Sequence, residues 1–161
     1  MVAPTGTTSD LVRRPDGPWR WLAIDVIVLS AIVTVGLVLT FHLTSVSLRT
    51  PFTYAGDSLG VETSAKMIIQ TGWAQSTPRL GAPFGLQLYD FPIGGDNAHY
   101  LLMKVLSWGT GDWVLLVNSF YLLSFFTAAW SAYLCQRWLR VGRTAAIVTS
   151  ALFAFAPYHF A

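Results

Sequence analysis

Charge is what this sequence has least of. Eight acidic and ten basic residues make up 11% of 161 positions, for a formal net charge of +2. So small an excess, with its arginines dispersed, excludes a nucleic-acid-binding surface, which needs a concentrated basic patch to meet phosphates. Cysteine is nearly absent as well. Cys135 stands alone inside an apolar run, so no disulfide framework and no thiolate metal site can be built within the chain. Redox compartment cannot be read from it. There is also no internal repeat and no paired, broken-helix pattern of the kind that marks transporters built from inverted repeats. What fills the sequence instead is apolar: 53% hydrophobic residues and seven tryptophans, the balance of a membrane protein.

The apolar residues gather in three runs. From Trp21 to Leu43, "WLAIDVIVLSAIVTVGLVLTFHL" is long enough, at about 1.5 Å per residue, to cross a hydrocarbon core of roughly 30 Å. A second run covers Trp113 to Cys135, and a third, at the short limit, covers Thr144 to Tyr158. The expected fold is therefore all-α integral membrane, with three transmembrane helices and a large outer loop carrying two short interfacial helices. Residues 1–18 form a cytoplasmic tail, 19–43 the first span, 44–112 an outer loop, 113–136 the second span, 137–143 a cytoplasmic link and 144–161 the third span. Arg13, Arg14 and Arg20 precede the first span, and Arg137, Arg140 and Arg143 lie between the second and third. Both clusters belong on the cytoplasmic side, which puts the N-terminus inside. Arg49, Lys66, Arg79 and Lys104 fall in the loop, and long loops translocate largely regardless of charge. A cleaved signal peptide is the competing reading of the first run, with "SVS" at Ser45 to Ser47 as its small-residue site. Signal cores are about 7 to 15 residues, shorter than this run, which favours an uncleaved anchor.

A connector from Thr44 to Asp112 is too long to be structureless. "LGVETSAKMIIQT", residues 59–71, predicts one short helix, with Asp57 or Ser58 as its cap, Glu62 in its positive first turn and able to pair with Lys66, and Gly72 as its stop. "DNAHYLLMKVLSW" predicts a second near 97–108, capped by Asp96, with Ala98, Leu101, Leu102 and Val105 on one face and Asn97, Tyr100, Lys104 and Ser107 on another. Such a helix suits a membrane interface. Between them, residues 76–95 are rich in Pro and Gly yet carry Phe84, Tyr89 and Phe91, which reads as ordered extended loop.

The words "YAGDSLG", "RLGAPFGLQLYDFP", "GGDNAHYLLMK" and "LFAFAPYHF", set in this arrangement of spans and loop, resemble the N-terminal part of GT-C-type membrane glycosyltransferases. That group includes protein mannosyltransferases, oligosaccharyltransferases and bacterial YfhO-like proteins, and the likeness runs from about residue 20 to the end. The resemblance implies a bacterial plasma (inner) membrane, a polyprenyl-phosphate-linked sugar donor, an acceptor on the outer face and an acidic residue of the first outer loop at the active site. By position that residue is Asp57. It would act as general base, because an acceptor hydroxyl is a poor nucleophile until its proton is taken. A phosphate leaving group needs cationic partners, for which Lys66 and Arg79 are candidates. Asp90, Asp96 and His99 are further substrate-contact candidates. Asp96 and His99 alone do not make a metal site, so a divalent metal is possible but not indicated, and no cofactor is named. Complete members of the group carry more spans. The resemblance thus implies an N-terminal portion or truncated frame whose activity depends on further C-terminal spans or a partner subunit.

Bland readings stand beside these. Asp57 and Asp96 can serve only as helix caps, and Asp90 as a turn residue. Asp25, about one turn into the first span, reads as an interfacial acid near water or Arg20. Asn118 reads as a helix-contact residue. On these readings the chain is a non-catalytic subunit or scaffold whose outer loop binds lipid or a partner protein.

Overall fold

The computed structural model describes residues 21–54, 56, 58–89 and 97–157. Five α-helices dominate: α1 (Leu22–Phe41), α2 (Ser58–Thr71), α3 (Asn97–Ser107), α4 (Trp113–Trp138) and α5 (Arg143–Ala154). The stretch between α2 and α3, read as extended loop, holds a minimal antiparallel hairpin of β1 (Ser76–Thr77) and β2 (Leu86–Gln87), with Ser76 opposite Gln87 and Thr77 opposite Leu86. The segment between α1 and α4 therefore adds a small sheet to a helical protein. Asp57, Asp90 and Asp96, with the tail of residues 1–18, lie outside the described residues.

Two helices, α1 with 20 residues and α4 with 26, are long and apolar enough to cross a membrane. The α1 residues Asp25, Leu29, Val33 and Leu37 form one buried stripe at four-residue spacing. Much of the rest of the helix, including Ile24, Ile27, Val28, Ile32, Val35 and Leu39, is exposed. A core helix of a water-soluble domain would bury such residues; a helix apolar on every side that buries one narrow stripe has the pattern of a lipid-facing span. The third expected span is not a membrane-length helix. α5 has 12 residues, about 18 Å at the α-helical rise, and ends ahead of Pro157, whose ring cannot continue a helix.

The helix ends have local causes. Asp112 caps α4, its Oδ1 accepting from the Val114 amide at 2.9 Å and the Leu115 amide at 3.4 Å. α1 ends when His42 enters the left-handed region (φ 50°) and the Leu43 amide reaches back to the Val38 carbonyl at 3.2 Å. α4 ends the same way, with Arg140 at φ 62° and the Val141 amide on Gln136 at 2.9 Å. Both are Schellman-type closures with a non-glycine residue in the glycine position. α2 stops at Gly72, where φ is 93° and the amide donates to Ile68 at 3.1 Å.

The residues group into two compact units. One joins the start of α1, up to Val33, with the chain from Ala128 onward. In it α5 buries Ala146, Ser150 and Ala154 along one edge, small residues that let a neighbouring backbone approach closely. Gln136 of α4 donates to Ser150 Oγ at 3.0 Å and accepts from Thr149 Oγ1 at 2.5 Å. Trp130 Nε1 donates to Ser30 Oγ at 3.0 Å. The other unit runs from Thr34 to Thr127. Its core is Ala65 and Ile68 of α2, Ala74, Tyr100 and Met103 of α3, and Leu116 of α4. Trp73, Leu106, Val117 and Phe120 pack against that core.

Candidate functional site

In the second unit, the chain leaving α1 is held by α4. Asn118 is buried; its Nδ2 donates to the carbonyls of Leu48 at 2.9 Å and Thr50 at 2.8 Å, while its Oδ1 accepts from the Phe52 amide at 3.4 Å. One amide thus satisfies three backbone groups of an irregular segment, which needs such partners wherever water is excluded. Phe52 then stacks on Phe41 with centroids 5.3 Å apart, and Tyr121 and Phe125 meet Phe41 edge-on at 5.8 and 5.9 Å. Positions 118, 121 and 125 share one face of α4. Asn118 is therefore a loop-holding residue rather than the helix-contact residue that its place in an apolar run suggests.

Glu62 departs furthest from its sequence reading. Its expected partner Lys66 turns away, with its ammonium 5.9 Å from the centre of the Trp113 ring. Glu62 itself is 4% exposed. Sequence spacing offered a solvated i, i+4 pair; instead the tertiary contacts of α2 place Glu62 in line with the core residues Ala65 and Ile68. Burial pushes its carboxyl up from the ordinary 4.5, because a charge is costly where water is excluded.

The other site candidates are separate. Arg79 is exposed, and its Nη1 donates to Gln70 Oε1 at 2.9 Å. His99 is exposed on α3, its ring edge-on to Phe120 at 5.9 Å. Asn97 accepts from Gln75 Nε2 at 3.1 Å, and Gln75 accepts from Trp73 Nε1 at 3.1 Å, which links α3 to the chain leaving α2. No described contact joins Lys66, Arg79 and His99 into one cluster. Among the described residues no group of three His, Cys, Asp or Glu side chains is placed to hold a metal ion. An open cleft of about 360 Å³ lies between α2 and the end of α3, lined by Ile68, Ile69, Lys104, Ser107, Trp108 and residues 109–111. Among the described residues, those lining it present an ammonium and hydroxyls but no carboxylate.

In the first unit, Asp25 is 1% exposed, so the reading of a water-facing acid is corrected. Arg143 Nε donates to Asp25 Oδ1 at 2.5 Å, and the buried Tyr133 hydroxyl donates to Oδ2. The Arg143 guanidinium also lies 5.1 Å from the Trp21 ring centre. An arginine counted as a marker of sidedness is thus also the counter-ion of the acid in α1. Only the presence of an acid in an apolar run signals such a site; the partner, 118 positions away, does not.

These features define a mostly helical protein with two helices of membrane-spanning length and character and a folded segment between them. No known family model, curated protein or solved structure matches the chain.

Proposed function

We propose that this chain is the amino-terminal portion of a multi-pass glycosyltransferase of a bacterial plasma membrane, with its N-terminus cytoplasmic. It moves a sugar from a polyprenyl-phosphate-linked donor to an acceptor on the outer face, together with further spans or a partner subunit. The observation that carries the reading is the anchoring of the chain on both sides of Asp57. On one side Asn118 grips residues 48–52 by three hydrogen bonds, and on the other α2 begins at Ser58 and docks on the core. A general base works best from a backbone with fixed neighbours, and the described residues on either side are fixed to α4 and to the core. The sequence words around Asp57 supply the rest of the support.

In this reading Asp57 takes the acceptor's proton as the acceptor oxygen bonds to the anomeric carbon, and the polyprenyl phosphate leaves with the electron pair of the broken bond. Lys66, Arg79, Asp90, Asp96 and His99 are the proposed substrate contacts. Asp57→Asn, made in the longest reading frame that carries this sequence, keeps the shape of the side chain and removes the base. Transfer from a polyprenyl-phosphate sugar should fall by about 10²- to 10⁴-fold. Unchanged transfer would remove Asp57 from the chemistry.

A second reading has one observation of its own: among the described residues the Lys104 cleft is lined by no carboxylate, and Lys66, Arg79 and His99 do not converge. That favours a non-catalytic membrane subunit whose outer segment binds lipid or a partner. Transfer by the longest frame, lost in Asp57→Asn, decides for the enzyme.

A further inference from the structure

α3 is apolar on the side that docks and on a side that does not. Its apolar positions recur at Ala98, Leu101, Leu102 and Val105 and continue into Trp108 just past its end. All of them are exposed, Leu101 by 58% and Trp108 by 77%. The side turned inward is apolar as well: it buries Tyr100 and Met103 among residues of α2 and α4, with Leu106 packed against the same core. A helix folding in water keeps its side away from the core polar, so a second apolar face left uncovered marks a further contact. α2 differs: apart from Leu59 and Val61 at its start, its outer side carries Thr63, Lys66 and Gln70.

We infer that the exposed face of α3 lies in the phospholipid bilayer at the membrane surface, and that α2 rides above it in water, so only one of the two outer helices is interfacial. Three observations select lipid as the occupant. The stripe runs into Trp108, five positions before Trp113 opens the membrane-length α4, which limits how far α3 can stand from the bilayer. The same unit exposes Val35 and Leu39 on α1, so lipid already faces it there. Lys104 flanks the stripe and has no acidic partner among the described residues, as suits a side chain reaching from a half-immersed helix to headgroup phosphates.

The inference rests on the membrane reading of α1 and α4 and is independent of glycosyl transfer. The test is site-directed spin labelling of the full chain in nanodiscs of phosphatidylcholine and phosphatidylglycerol, in a Cys135→Ser background. Labels go on Leu101→Cys, Val105→Cys and Trp108→Cys, with Thr63→Cys and Gln70→Cys on α2 and Leu39→Cys on α1. Relaxation by oxygen should exceed relaxation by a water-soluble nickel complex at 101, 105 and 108, and the order should reverse at 63 and 70. Nickel-dominated relaxation at 101, 105 and 108 overturns the inference in favour of water. Exclusion of both agents there overturns it in favour of a protein partner. Leu39 separates the two levels: if it too is nickel-dominated, the membrane reading itself fails.

Discussion

At the residue scale, the two polar side chains that matter most to the outer segment are amide and carboxyl groups in apolar surroundings, treated in opposite ways. Asn118 is fully used, with both donors and its acceptor engaged. Lys66, the partner that spacing offers Glu62, lies over the Trp113 ring instead, and Glu62 is buried on the core side of α2. Its folded-state carboxyl is pushed up by burial, so between the ordinary 4.5 and that raised value the folded protein holds a proton the unfolded chain has lost. Stability is then full below 4.5, falls as pH rises through the window and levels off above it. Glu62→Gln keeps the shape and removes the titration. Denaturation midpoints in detergent, measured from acid to neutral pH, should show the variant gaining on the parent as pH rises. A constant difference across that range would mean that Glu62 is solvated or paired. The sequence named both residues but gave neither its surroundings, because spacing along a helix shows which side chains share a face but not which face another element covers.

At the scale of the element, the positions of the helices were legible and their partners were not. Apolar runs and capping residues located α1, α2, α3 and α4 to within a few residues. The leucine face of α3 was visible as well, but periodicity is silent on the fact that Tyr100 and Met103, not Leu101 and Leu102, meet the core. β1 and β2, at two residues each, are too short for any alternation to register. The sharp loop between them relies on Gly81 at φ 71°, where a Cβ would come within 2.8 Å of the Gly85 carbonyl oxygen. Asp25 is the clearest element-scale device, since it fastens α1 to both α4 and α5. Asp25→Asn should cost about 3 kcal/mol, the low end for breaking a buried pair because Arg143 retains partial exposure. Adding Arg143→Gln should recover at least half, as the stranded guanidinium disappears. Unfolding in mixed micelles checks both; equal stability of Asp25→Asn and the parent would show that the pair holds nothing together.

At the scale of the whole molecule, the proposed reading needs the folded segment to lie outside, and the charges do not all agree at first sight. Arginines crowd the brief link after α4, but Arg49, Lys66, Arg79 and Lys104 occupy the segment assigned to the outer face. Two physical facts resolve the conflict. Charge bias orients a chain through short flanks near span ends and weakly through long loops. The loop's cations are also partly engaged: Arg79 is tied to Gln70, Lys66 sits over Trp113, and Arg49 lies 3.8 Å from Asp112. Cys135, exposed near the end of α4, gives a native reporter of sidedness. In intact spheroplasts a membrane-impermeant maleimide should leave Cys135 unmodified and modify it once the membrane is opened. Gln87→Cys in a Cys135→Ser background, on the hairpin strand β2, should be modified in both. The reverse pattern would put α2, α3 and the hairpin in the cytoplasm, away from any acceptor on the outer face, and would end the glycosyltransferase reading even if Asp57 proved essential to some other chemistry.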